Sequence, residues 1–153
     1  MHYGGFWRRL GAHILDGIVS YLLVAAACGL GLGIAYLTYK AHGGTKFDTT
    51  GMIISFFVIG AFFVVTIPLV YHAEMEASRH RATLGKLAVG LKVTDEAQRQ
   101  ISRHASYVRN LTKWLPVLIL SGLWTIIELI AFATDDRRRA VHDRAAGTIV
   151  IEV

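Results

Sequence analysis

WLPVLILSGLWTIIELIAFA, residues 114–133, is the stretch on which the fold of this chain turns. At 1.5 Å per residue, a single helix of this length just covers the ~30 Å hydrocarbon core of a bilayer. Yet it carries Pro116, the pair Ser121-Gly122 and an acid, Glu128. Read as one helix, it is a third membrane crossing. Read as broken at Pro116 or at Ser121-Gly122, it is a shallow re-entrant hairpin that returns the chain to the face it left. Two full crossings between Ser106 and Thr134 would need about 40 helical residues, more than are there.

Outward from this block the same composition persists. Of 153 residues, 54% are apolar and only 18% charged, and the mean hydropathy is +0.46; a soluble domain needs more polar surface. Leu10 to Tyr39 and Met52 to Tyr71 are the other two apolar runs. The expected fold is an all-α integral membrane protein, a single domain over residues 1–153 with membrane segments at about 10–38, 52–71 and 114–134. The first run is longer than the bilayer, so it tilts or extends past the interface. Ala25, Gly29 and Gly33 form a small-residue stripe on it that permits close helix contact. A polar connector with Gly43 and Gly44 separates the first two runs, and Pro68 is a potential kink in the second.

The net charge of +5 comes from Lys and Arg that flank the apolar runs and form no continuous stripe, which argues for anionic lipid headgroups as partner and against nucleic acid. Arg8 and Arg9 before an apolar run have the outline of a signal peptide, but the run continues past any cleavage point, and retention is expected. Ala25 to Ala27 before Cys28 imitate a lipoprotein site only faintly. Cys28 is the one cysteine, so no intrachain disulfide or Cys-based metal or redox motif can form.

Topology follows from the basic residues. Two precede the first run, two (Lys40, Lys46) lie in the first connector, eight fall between Arg79 and Lys113, and Arg137, Arg138, Arg139 and Arg144 follow the third run. The positive-inside rule places the amino terminus and the 72–113 stretch in the cytoplasm, which makes a multi-pass protein of the cell membrane. Three simple spans would put the Arg-rich tail outside, against the same rule. Thr148 to Val153, TIVIEV, reads as a strand, and its natural partner is the strand around residues 91–95, which requires both on one face of the membrane. The hairpin reading satisfies both demands; three simple spans remain the alternative. The 72–113 stretch reads as neither repetitive nor low in complexity. Within it Arg99 to Lys113 reads as a basic helix, with Ile101, Ala105, Val108, Thr112 and Leu115 at helical spacing, lying on the headgroups or serving as a cytoplasmic loop helix.

Ionisable groups inside apolar runs need a reason. Arg9, His13 and Asp16 share one helix face, and Arg9 is two turns, about 10 Å, from Asp16. That is too far for a direct pair. His13 bridges, or Asp16 meets a cation from elsewhere such as Arg109 or Arg144; the result is either a structural ion pair or an ion or proton site. Glu128 is a second buried-acid candidate, expected to find a partner or carry a proton if the third run spans. His72, Glu76 and His80 have metal-compatible spacing on one helix, but no ligand from a second element is identifiable, so no metal and no cofactor is expected.

TLGK at residues 83–86 imitates a phosphate loop, but His80 replaces its first Gly and Leu87 its magnesium-binding hydroxyl. No protease or hydrolase motif is present, and the chain is not expected to be an enzyme.

Three segments nevertheless form a recognisable set. GFWRRLGAHILDGIVSYLL (residues 5–23), TLGKLAVGLKVTD (83–95) and VHDRAAGTIVI (141–151), in that order and covering essentially the whole chain, resemble the RDD family of small polytopic membrane proteins, named for one arginine and two aspartates. The resemblance assigns Arg9 (with Arg8 as neighbour), Asp16 and Asp143 to those positions. Ala82, where the family often has Gln, is a departure. The resemblance implies a polar cluster of Arg9, Asp16, Lys86, Asp143 and Arg144 at the cytoplasmic interface, with Gly85, Gly90 and Gly147 permitting close backbone approach; it would orient the fold or bind an ion or small anion.

The expected function is a transport or permeation component for an unidentified ion or small ligand, using that cluster with His13. So few spans rarely enclose a pathway, which implies a homo-oligomer or a membrane partner. The alternative is a non-transporting scaffold or accessory subunit in which the cluster serves only the fold.

Overall fold

The computed structural model of the chain describes residues 2–41, 49–120 and 122–153. Gly43, Gly44 and Lys46 of the polar connector lie outside the described residues, as does Ser121. The elements in order are α1 (Phe6–Ala41), α2 (Thr49–Ala77), α3 (Leu84–Ala88), β1 (Leu91–Asp95), α4 (Arg103–Leu120), α5 (Gly122–Thr134), α6 (Val141–Ala145) and β2 (Thr148–Glu152). The protein is mostly helical with a two-stranded sheet, and α1 and α2 are long and apolar enough to cross a membrane.

Only 6% of the most apolar window of α1 and 11% of that of α2 is buried within the protein, so their aliphatic surface faces outward. A helix at the surface of a soluble domain would instead hide an apolar stripe against a core. Among the described residues, a Cβ added to Gly29 or Gly33 of the small-residue stripe would meet nothing within 4 Å. Pro68 lies inside α2, which still runs on to Ala77. The helix thus outlasts the apolar run that ends at Tyr71, and its last turns carry His72 and Glu76.

The third apolar run is two helices. Pro116 is accommodated within α4, which ends at Leu120, and α5 begins at Gly122. With 13 residues, α5 is about 20 Å long, short of a full crossing. The basic helix starts at Arg103 and not at Arg99, because Asp95 closes a turn first: its Oδ1 accepts from the Arg99 backbone N–H at 2.6 Å. The inward face of α4 is polar, with Ser106, Arg109 and Asn110 no more than 4% exposed while Leu111 is 38% exposed. Ile101 is buried and Arg99 and Arg103 lie outward, as the spacing predicts, but the spacing does not single out Ser106, Arg109 and Asn110 as a buried polar face.

The chain forms two compact units. Residues 18–68 are the apolar bulk of α1 and α2. Residues 1–17 with 69–153 hold the sheet and the buried charges. In this unit β1 and β2 pair antiparallel, from Leu91 opposite Glu152 to Asp95 opposite Thr148, as the strand patterns predict. Leu91, Val93 and Val150 form a small core with Ala12 and Ile101. Both outer edges are covered, which blunts the tendency of bare edges to recruit other strands. Gly4 N donates to Val150 O at 2.9 Å and Glu152 N to His2 O at 3.0 Å, while Val93 N donates to Arg81 O at 2.7 Å.

Residues 77–95 and 134–152 repeat one backbone motif at a constant offset. Arg81 and Arg138 both have positive φ (55° and 52°), as do Gly90 and Gly147 (70° and 62°). The latter two end α3 and α6 in the left-handed conformation that favours glycine. Turn bonds match as well: Arg81 N to Ser78 O with Arg138 N to Asp135 O, and Gly90 N to Leu87 O with Gly147 N to Arg144 O. The sheet register places Val93 opposite Val150, its own equivalent. The two copies therefore face each other across a local pseudo-two-fold axis.

Candidate functional site

A ladder of alternating charge runs through the unit of residues 1–17 and 69–153. Arg9 Nη1 donates to Asp143 Oδ2 at 2.8 Å. Arg109 Nε donates to Asp143 Oδ1 at 2.9 Å, and its Nη1 to Glu76 Oε2 at 2.8 Å. Lys86 pairs with the other oxygen of Glu76, and Asn110 Nδ2 donates to Oε2 at 3.2 Å. The side chains of Asp143, Glu76 and Arg109 are 0%, 2% and 5% exposed, so each charge is held by its neighbours and not by solvent. Arg9 also donates to Gly4 O and Arg138 O, tying the start of α1 to the second copy of the repeat.

Local structure explains these positions. Lys86 and Asp143 are the third residues of α3 and α6, equivalent places in the repeat. Asp143 reaches back to accept from Ala140 N at 3.2 Å, closing the first turn of α6. Burial alone would raise its carboxyl pKa, but Arg109, His142 and Arg9 hold it well below the usual carboxylate range. Burial, with repulsion from Arg109, pushes the Lys86 ammonium down to about 8 against the opposing pull of Glu76. Burial also lowers His142.

Asp16, only 1% exposed, forms no ion pair within 4 Å among the described residues. Its Oδ2 accepts from Thr83 Oγ1 at 2.5 Å, and its Oδ1 from Gly85 N at 2.8 Å and Tyr71 Oη at 3.0 Å. Three donors replace the salt bridge to Arg109 or Arg144 that the sequence suggests, and a carboxylate so caged is stable without a counter-charge. The cage requires glycine: a Cβ on Gly85 would collide with the Ala12 carbonyl oxygen and stand 2.8 Å from Asp16 Cγ.

The remaining sequence candidates divide. His13 is exposed and bridges nothing among the described residues. Arg144 points away from the ladder, to Ala131 O at 2.8 Å and Asp135 at 3.3 Å, because adjacent residues of a helix diverge by about 100° and Asp143 takes the inward position. Arg8 turns out to Glu152. Glu128 has partners: it accepts from Val141 N at 3.0 Å and lies 2.9 Å from His142 Nδ1, capping α6. His72, Glu76 and His80 do not converge, since α2 ends at Ala77 and His80 is exposed beyond it. Glu76, Asn110, Tyr71 and Thr83 were not identified from sequence as members of the cluster. Glu76 alone left a signal, as an acid one helical turn past an apolar run.

Beside the ladder lies a cavity of about 370 Å³. Phe6, Leu10, Leu129 and Phe132 supply apolar wall, and Arg9, Lys86, Arg109 and Lys113 bring positive charge to it. Arg9 lies over the Phe132 ring, 5.0 Å from its centroid, and the Lys113 ammonium is 5.5 Å from the Trp114 ring.

The sequence profile of the RDD family matches residues 3–147, a range that takes in Arg9, Asp16 and Asp143. An uncharacterized protein of Bacillus subtilis (strain 168), YckC, is 28% identical over 146 residues, 95% of this chain and 82% of its own length. A second from the same organism, the uncharacterized protein YxaI, is 27% identical over 151 residues, 96% of this chain and 95% of its own length. No solved structure matches the chain significantly.

Proposed function

This chain belongs to the RDD family, and on that premise we propose that it is an integral membrane protein serving as a transport or permeation component, with the cavity beside the charge ladder as its ligand site. The cavity is the observation that carries the reading: about 370 Å³ is room for a small molecule, and charged groups line it next to apolar wall. The exposed aliphatic surfaces of α1 and α2 supply the lipid-facing area. In this reading α4 and α5 form a re-entrant hairpin, and the amino terminus, the loop after α2 and the carboxyl-terminal strand share the cytoplasmic face, in keeping with the distribution of Lys and Arg. The function is non-enzymatic. Two spans enclose no pathway alone, so the working unit is a homo-oligomer or includes a membrane partner.

One observation favours a second reading, a scaffold or accessory subunit. Asp16 and Asp143 have their acceptor positions occupied within the chain, which suits a purely structural cluster. Flux measurement separates the two. The chain is reconstituted in liposomes holding a pH-sensitive dye, and gradients of sodium, potassium, phosphate and acetate are imposed in turn. Transport predicts dissipation above protein-free vesicles for at least one gradient, abolished by Thr125→Phe, which fills the cavity and removes no group of the ladder. Wild-type vesicles as tight as empty ones would leave the scaffold reading in place.

A further inference from the structure

The cavity has spare donors where its carboxylates are already taken. Asp16 is caged by Tyr71, Thr83 and Gly85, and Glu128 is held by Val141 N and His142. In contrast, Trp114 Nε1, Trp124 Nε1 and His72 Nδ1 are buried with no hydrogen-bond partner among the described residues, and all three residues line the cavity. His72 is 3% exposed. An indole N–H can only donate, and a buried donor left unmade is costly, so these groups are poor structural choices unless something accepts from them. Lys113, another lining residue, forms no ion pair within 4 Å among the described residues: Glu76, Asp16 and Asp143 act on it from farther off, and the Trp114 ring lies 5.5 Å from its ammonium. It lies within electrostatic range of His13 and His72 in the same wall. Lys86 and Arg109 are paired with Glu76 and Asp143, which leaves Lys113 as the cavity cation that has no acid in ion-pair contact among the described residues. The apolar residues Phe6, Leu129 and Phe132 complete the wall.

We infer that the cavity binds an oxyanion carried on an apolar stem, with Lys113 as its charge partner and the indole N–H groups of Trp114 and Trp124 as donors. The inference rests on the reading of this cavity as a ligand site and names the ligand class. Two sources share the chemistry: a free carboxylate or phosphate monoester, and an anionic lipid whose headgroup enters the cavity.

The test uses the full chain in neutral maltoside micelles with Trp7→Phe, so that indole emission comes from Trp114 and Trp124, the other two of the three tryptophans. Octyl phosphate represents the free anion and dioctanoyl phosphatidylglycerol the lipid; octanol and octyltrimethylammonium carry similar stems with no charge and with positive charge. The expected result is a saturable emission change with one or both anions, weakened roughly tenfold by Lys113→Gln and retained by Lys113→Arg. Saturation by octyl phosphate alone identifies a soluble ligand, and saturation by the phosphatidylglycerol alone identifies a lipid. If Lys113→Gln loses its helical circular dichroism, Trp124→Phe, which keeps an aromatic side chain, removes the donor and leaves Trp114 as the reporter, is read in its place with the same expected weakening. Octanol or the ammonium titrating as tightly as the anions would overturn the inference, as would the absence of any saturable change in a folded chain. Anion binding without flux removes the transport reading alone; flux without anion binding removes this inference alone.

Discussion

Lys86 and Asp143, opposite in charge, occupy the same position in two copies of one backbone motif, and Glu76 and Arg109 connect them. The pseudo-two-fold axis of the sheet therefore relates a cation to an anion. The ladder converts this asymmetry into a bond between the copies.

Removing the Asp143 charge tests how far the ladder carries the fold. Asp143→Asn leaves Arg9 and Arg109 facing each other without their shared carboxylate, and losing one partner of a buried ion pair costs about 3–5 kcal/mol. A fall in melting temperature of roughly 10 °C in detergent is expected. A shift within a degree or two of wild type would mean that solvent, not Asp143, compensates the arginines.

Gly85→Ala and Gly17→Ala form a matched pair. The first drives a methyl into the Ala12 carbonyl and Asp16, whereas the second meets nothing within 4 Å. Overpacking at a site bounded by backbone costs about 1–3 kcal/mol or more, while Gly17→Ala in a helix interior gains up to about 1 kcal/mol. Thermal melts that fail to separate the two would exclude the close approach of α1 and α3.

Lys86 sets a pH dependence. Its ammonium gives up a proton at about 8 in the folded chain, against 10.5 for an unperturbed lysine. Between these values unfolding takes up a proton, so the contribution of Lys86 to stability rises with pH through that window and is constant below it. The gain is of order 1–3 kcal/mol. Melts from pH 7 to 10.5 should show wild type gaining on Lys86→Gln; a flat difference would contradict the depressed pKa.

The strand pairing makes a topological prediction. Val153 N donates to Gly90 O at 3.0 Å and His2 O accepts from Glu152 N at 3.0 Å, so the residues near 2, 90 and 153 share one face. Single cysteines at His2, Gln98 and Val153, in a Cys28→Ser background, should respond alike to a membrane-impermeant thiol reagent in intact cells. All three resisting it marks the cytoplasmic face. Labelling of one but not another would break the hairpin reading of α4 and α5.

Sequence exposes some of this architecture and conceals the rest for physical reasons. Apolar length announces α1 and α2, alternation announces β1 and β2, and Asp16 stands out because acids are expensive in an apolar run. Glu76 stays hidden because α2 continues past its apolar stretch and propensity does not mark where such a helix stops. Arg144 is drawn in by its neighbour, although one residue along a helix is enough to turn a side chain outward. The repeat leaves almost no trace, since only Arg81 with Arg138, Ala88 with Ala145, Gly90 with Gly147 and Val93 with Val150 are identical between its copies. What the copies share is backbone conformation, and many side chains satisfy that equally well.

The order of the ladder along the chain bears on biogenesis. A ribosome delivers Arg9, Glu76, Lys86 and Arg109 before it delivers Asp143 and β2, the strand against which residues 2–4 lie. Until that segment emerges, the arginine near the amino terminus has no acid to hold it and the first strand no neighbour. The nascent protein must therefore keep these groups solvated until Asp143 and β2 arrive, and only then can this interior close.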